Sequence, residues 1–177
     1  ADMRAWPAVS ETVSRVHRGF KTEVDELWPM ICEDINRKSN LKKDLWFCGH
    51  SLGAAMATIM ASRAMYNREL GNPVELFTYG SPRVGWKGYC SSIGVLHHRW
   101  KNNNDIVTTV PLRIMGYRHH GTEHYINAYG NLRTPTGYQR VKDKIRGIVQ
   151  GLSEGKIDSF SDHGIGEYIN HIQTSIK

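Results

Sequence analysis

The sequence is poor in cysteine: Cys32, Cys48 and Cys90 are the only three in 177 residues. Three cannot all pair, and their spacing matches no zinc pattern. A disulfide-dense secreted module is thereby excluded, although a secreted enzyme is not. Cys48 sits inside an apolar run and is expected to be a buried thiol. No apolar run approaches the roughly 20 residues that a membrane-spanning helix needs. No fixed-period repeat and no low-complexity segment is present, which excludes a solenoid. The net charge is +6, yet the chain has no dense Lys/Arg block and its charges of both signs are mixed. That speaks against nucleic acid as a partner and reads as a solvated surface with a mild attraction to anionic lipid. The opening "ADMRAWPAVS" has neither an initiator Met nor a signal peptide, so the residues do not decide between cytoplasmic and secreted.

The chain does have ordinary globular composition, 40% hydrophobic and 23% charged, which suits one domain with a core. No linker divides it. Phe20, Val24, Leu27, Ile31 and Ile35 recur at helical spacing over 19–38, with Pro29 either kinking that helix or opening a second one. "DLWFCG" (44–49) reads as a strand buried on both faces. An Ala-rich helix follows over 52–69, with Gly71 as its stop. "VELFTYG" (74–80) and "VLHHRWKN" (95–102) read as two more strands. Residues 117–129 read as an edge strand or hairpin, 138–152 as a basic amphipathic helix, and 161–172 as the closing element. Strands alternating with helices predict an α/β class with a mostly parallel sheet.

The chemistry gathers at "GHSLG" (49–53), a G-x-S-x-G pattern between an expected strand and an expected helix. A strand that turns straight into a helix strains the residue at the apex. Glycines two residues to either side are expected to leave room for that turn. The Ser51 hydroxyl then stands at the positive end of the helix, with the Leu52 backbone N–H as a donor for a developing oxyanion. A Ser nucleophile needs a base, and the base needs an orienting acid, in the chain order Ser, acid, His. Asp105 follows an expected strand in "NNND", where the alternative is an Asx-turn. Of nine histidines, His163 lies in a loop-like "SDHG" downstream of both partners. His171 falls inside the last helix and reads as surface or packing. His97 and His98 read as structural, and His50 is expected to pack beside the turn. His119, His120 and His124 raise a metal-site alternative, but no fourth ligand is evident.

These blocks together resemble the class 3, fungal-type lipase family of the α/β-hydrolase fold. The resemblance rests on "VHRGF" (16–20), "GHSLGAAMA" (49–57), "FTYGSPRVG" (77–85), "NNNDIV" (102–107), "YRHHGTEHY" (117–125) and "DHGIGEY" (162–168), all in family order. It implies a nucleophile at Ser51, an acid at Asp105 and a base at His163, with no cofactor and no metal. It implies a single domain over 1–177, a mostly parallel sheet flanked by helices, with 1–15 as lid or lid tail and the N-terminal strands lacking. An upstream segment of the same protein is expected to complete the sheet and the oxyanion hole. The implied activity is hydrolysis of carboxylic esters, foremost acylglycerols at a lipid–water interface, through an acyl-enzyme. Phospholipase A1 and feruloyl-type esterase are the alternatives within that class, and a non-catalytic lipid-binding remnant is the alternative outside it. "TTVPLRIMGYR" (108–118) is expected to border the acyl pocket.

Overall fold

The computed structural model describes residues 7–9, 14–40, 43–67, 69–133 and 162–176. The helix expected over 138–152 lies outside them, as do 1–6 and 10–13 of the segment read as lid or lid tail. In chain order the elements are β1 (Pro7–Val9), β2 (Arg15–His17), α1 (Arg18–Ile35), β3 (Trp46–His50), α2 (Leu52–Tyr66), β4 (Glu75–Tyr79), β5 (Gly85–Trp86) and α3 (Lys87–Ser92). β6 (Leu96–Asn102), β7 (Tyr117–Arg118), β8 (Thr122–Ile126), β9 (Leu132–Arg133) and a last helix, α4 (Ile165–Ile176), follow.

The main sheet has the order β3-β4-β6-β8-β9, with the first four strands parallel and β9 antiparallel. Its register sets His50 opposite Tyr79 and Tyr79 opposite Trp100, so three strands end on one rim. In such sheets ligand-facing groups gather beyond the carboxyl ends. A second, antiparallel sheet of order β1-β2-β5-β7 was not anticipated. It takes Tyr117 and Arg118 away from the expected strand over 117–129, while β8 lies between β6 and β9 rather than at an edge.

The expected helix after "VHRGF" is α1. His17 caps it, its Nδ1 accepting from the Phe20 N–H at 3.4 Å while its ring stacks on Phe20. The helix is continuous through Pro29 and no second helix opens there. Its inner face buries Phe20 and Val24, but Leu27 of the expected stripe is exposed. α2 is walled in on nearly every side, from Ala54 to Ala64. Its alanines let it lie close against β3, β4 and α1, and Phe47, Leu76, Ile59 and Val24 complete the core. α2 ends at Tyr66, before the expected stop at Gly71. Asn67 turns extended, and its side-chain oxygen takes the Glu69 N–H at 3.0 Å, a local bond that competes with helix continuation.

β3 corrects two expectations. Its Phe47 face is buried against the helices, but Trp46 and Cys48 on the other face are exposed. α1 and α2 both pack on the Phe47 side. α4 reaches the opposite face at the rim, where Tyr168 meets His50 and Tyr79. The strand is therefore not buried on both faces, and Cys48 is an exposed thiol. Among the described residues no helix is long and apolar enough to cross a membrane.

His97 of β6 lies inside the core face, its Nε2 2.7 Å from the Thr78 hydroxyl. Burial, with His120 and Arg99 nearby, pushes its pKa from 6.5 down to about 2. The unfolded chain thus binds a proton below pH 6.5 that the folded chain refuses. Stability is full above that pH and declines as the pH falls. Denaturant unfolding at about pH 5.5 should give about 1 kcal/mol less than at about pH 7.5 from this group. His97→Gln should flatten the pH dependence by that amount, and an identical slope in both proteins contradicts the assignment.

Candidate active site at the rim of the parallel sheet

The turn from β3 into α2 forces Ser51 to φ 57 and ψ −126, a backbone state that side chains rarely adopt. Gly49 makes this possible. A Cβ there would stand 2.3 Å from the Gly53 carbonyl oxygen. Gly53 itself faces open space, so the expectation that both glycines are needed for room holds for Gly49 alone. The Ser51 N–H donates to the Tyr79 carbonyl at 3.0 Å, which ties the apex to the end of β4. Leu52 is the first residue of α2, so its N–H has no partner within the helix.

Ser51, Asp105 and His163, predicted separately from the sequence, are brought together here. His163 Nε2 lies 2.7 Å from Ser51 Oγ. His163 Nδ1 lies 3.0 and 2.9 Å from the two carboxylate oxygens of Asp105. A carboxylate accepts but does not donate, so Nδ1 carries the proton, and Nε2 is left to accept from the serine hydroxyl. Asp105 is fully buried. Its Oδ1 also accepts the Val107 N–H at 2.9 Å. The Asx-turn, the alternative reading of this residue, is present, and the same turn fixes the carboxylate that faces the imidazole.

Three neighbours escaped the sequence reading. Tyr168 on α4 is fully buried and donates its hydroxyl to Asp105 Oδ2 at 2.6 Å, while accepting the Asn102 N–H at 3.0 Å. Burial and the Asp105 charge push its pKa far up, so it remains a phenol donor. Gly80, at the end of β4, has φ +59, and a Cβ there would lie 2.8 Å from Asp105 Oδ2 and 2.9 Å from His163 Nδ1. Asp162 takes the Asn103 side-chain amide and the Asn104 N–H on Oδ2, at 3.0 and 3.1 Å, and the Asn102 amide on its carbonyl at 3.1 Å. The run "NNND" was readable only as a turn. Its three asparagines dock the loop of the imidazole onto the loop of the carboxylate.

The remaining histidines fall where a structural reading puts them. His171 packs on α4 with Nδ1 3.3 Å from the Asn102 oxygen. His120 contacts His97, and His124 contacts His98. Among the described residues no group of three or more His, Cys, Asp or Glu is arranged to hold a metal ion. His50 packs beside the turn as expected, its ring tilted against that of His163 with centroids 4.7 Å apart.

A strained serine between a parallel strand and a helix, bonded to a histidine and a buried aspartate from later loops, defines a protein of the α/β-hydrolase fold with a Ser-His-Asp centre. Comparison with known proteins makes this specific. The family model described as Lipase (class 3) matches residues 2–115, and the chain belongs to that family. A secreted mono- and diacylglycerol lipase 1 from Fusarium solani is 32% identical over 117 residues, covering 63% of this chain and 34% of that protein. A lipase from Rhizomucor miehei is 33% identical over 132 residues, covering 69% of this chain and 35% of that protein. The chain thus spans about a third of the length of these two curated relatives. Among solved structures, a triacylglycerol lipase whose catalytic centre is formed by a serine protease triad superposes with a TM-score of 0.60 at 30% identity, over 71% of this chain and 51% of that one.

Two substitutions test the geometry. Gly80→Ala combines a positive φ with contacts on both Asp105 and His163 and should cost about 1–3 kcal/mol of stability. Tyr168→Phe takes one of two donors from the buried Asp105 Oδ2, which keeps His163 Nδ1, and leaves the Asn102 N–H without its acceptor, also worth about 1–3 kcal/mol. Equilibrium denaturation measures both, and native-like stability in either variant contradicts the contacts assigned to it.

Proposed function

We propose that this site performs serine-dependent hydrolysis of carboxylic esters, with acylglycerols at a lipid–water interface as substrates. The observation that carries the reading is the unbroken hydrogen-bond chain from Ser51 through His163 to Asp105. Ser51 Oγ attacks the ester carbonyl carbon as His163 Nε2 takes the hydroxyl proton. Asp105, oriented by Tyr168, holds the imidazole in register and stabilises the imidazolium. The carbonyl oxygen gathers negative charge against the Leu52 N–H and the positive end of α2. His163 then protonates the departing alcohol, and the acyl group remains on Ser51. Water, deprotonated by the same imidazole, releases the acid and restores the serine.

The names of the similar proteins support acylglycerols as the substrate class. The interface is supported by the loop after Asp105. Ile106, Val110, Leu112, Ile114 and Met115 are all exposed there, Ile114 to 90%. An apolar cluster of this kind beside a hydrolytic centre suits insertion among acyl chains. The outer edge of β3 pairs with no strand among the described residues. That supports a further segment of the same protein adding there and bringing the second oxyanion donor.

A fluorophosphonate probe should form one adduct, on Ser51. Ser51→Ala should abolish it and slow hydrolysis of acylglycerol emulsions by about 10⁴-fold or more. Undiminished hydrolysis by Ser51→Ala ends this reading. Faster turnover of phospholipid or feruloyl esters than of acylglycerols would replace the substrate class.

A further inference from the structure

The imidazole of His163 cannot be held by its Ser51 bond throughout a turnover. Nε2 loses the serine hydroxyl as Oγ bonds the carbonyl carbon; it must then protonate the leaving alcohol, which leaves Oγ acylated, and next activate a water. In those states its aim depends on Asp105 and on where its own main chain is fixed. Two anchors fix that main chain. On one side Asp162 is bound by Asn102, Asn103 and Asn104 of the acid's loop. On the other, His50 Nε2 lies 2.7 Å from the His163 carbonyl oxygen.

We propose that His50 is a positioning residue for the general base: it ties the carbonyl of His163 to the nucleophile turn through a donated N–H. The inference rests on the hydrolytic reading above. A carbonyl only accepts, so the proton of His50 sits on Nε2. His50 is the last residue of β3 and immediately precedes Ser51. The strand that carries the nucleophile therefore also carries the tether of the base, and the Ser51–His163 distance is set by one rigid element instead of by two loops. The His50 ring also lies against the His163 ring at a tilt of 31° and meets Tyr168 edge-on, with centroids 4.7 and 6.1 Å away. The base is thus braced along its backbone and across its ring. A reacting group displaced by about 1 Å loses about 100-fold in rate. The tether prevents a displacement on that scale.

The test compares His50→Phe, which keeps the ring and removes the donor, with His50→Gln, whose amide places a donor near Nε2. Ser51→Ala is run alongside, on a soluble short-chain p-nitrophenyl ester and with the fluorophosphonate probe. Thermal melting reports whether each variant folds. The expected result is a kcat for His50→Phe lower by about 10–100-fold with KM within about threefold, slower probe labelling, and recovery to within about fivefold of native in His50→Gln. Native-like kcat in His50→Phe overturns the proposal. So does a His50→Gln as slow as His50→Phe, because the N–H would then not be what matters. If His50→Phe does not fold, His50→Gln is set against His50→Asn, whose shorter amide cannot reach the carbonyl. Equal rates in that pair overturn the proposal as well. Loss of activity in Ser51→Ala with full activity in His50→Phe removes the tether alone. Activity retained in Ser51→Ala removes the hydrolytic reading and the tether with it.

Discussion

The close approach of Gly49 to the first turn of α2 is the constraint on which the site depends. A single methyl at Gly49 would overlap the Gly53 carbonyl, at 2.3 Å. With hydrogen there, β3 can run straight into α2 and leave Ser51 at a positive φ, with its hydroxyl clear of the sheet. Strain of this kind persists only where the surroundings over-determine it. Here they do, because the Ser51 N–H is bound to Tyr79 and α2 behind it is buried along its length.

From that point the parallel register does the rest. β3 and β4 end level and β6 runs two residues further, so Ser51, Gly80 and the Asn102–Asp105 turn meet on one rim. Gly80 leaves the space in which Asp105 and His163 touch. α4 then locks the assembly from outside: Tyr168 binds the carboxylate and the Asn102 N–H, and His171 leans on the Asn102 side chain. The side chains of Ser51, Asp105 and His163 come from three separated stretches of chain, yet hydrogen bonds between their neighbours hold those stretches together.

Much of this was legible in the sequence because it is local. The strand–turn–helix at "GHSLG", the helix after "VHRGF" and the strands over 74–80 and 95–102 follow from period and punctuation. Ser51, Asp105 and His163, expected together from chain order and from what each group must do, are joined by hydrogen bonds through His163. What escaped is non-local. Tyr168 is one apolar residue among others in "GEYINHI" until α4 folds against Asp105. The pairing of Asp162 with three asparagines joins residues about 60 apart in sequence. The exposure of Trp46 and Cys48 was misread because an apolar run looks the same whether one face or two are covered. The early end of α2 escaped because Asn67, not the glycine beyond it, supplies the competing bond.

On the reading proposed above, the strained turn presents Ser51 to an imidazole on one side and, at the oxyanion, to the Leu52 N–H on the other. A crystal structure of the protein after reaction with a phosphonate ester tests it most directly. The expected structure has phosphorus bonded to Ser51 Oγ, one phosphonyl oxygen within hydrogen-bond distance of the Leu52 N–H, and His163 Nε2 facing the ester oxygen. An adduct whose phosphonyl oxygen points away from α2, or phosphorus on any other side chain, would contradict it.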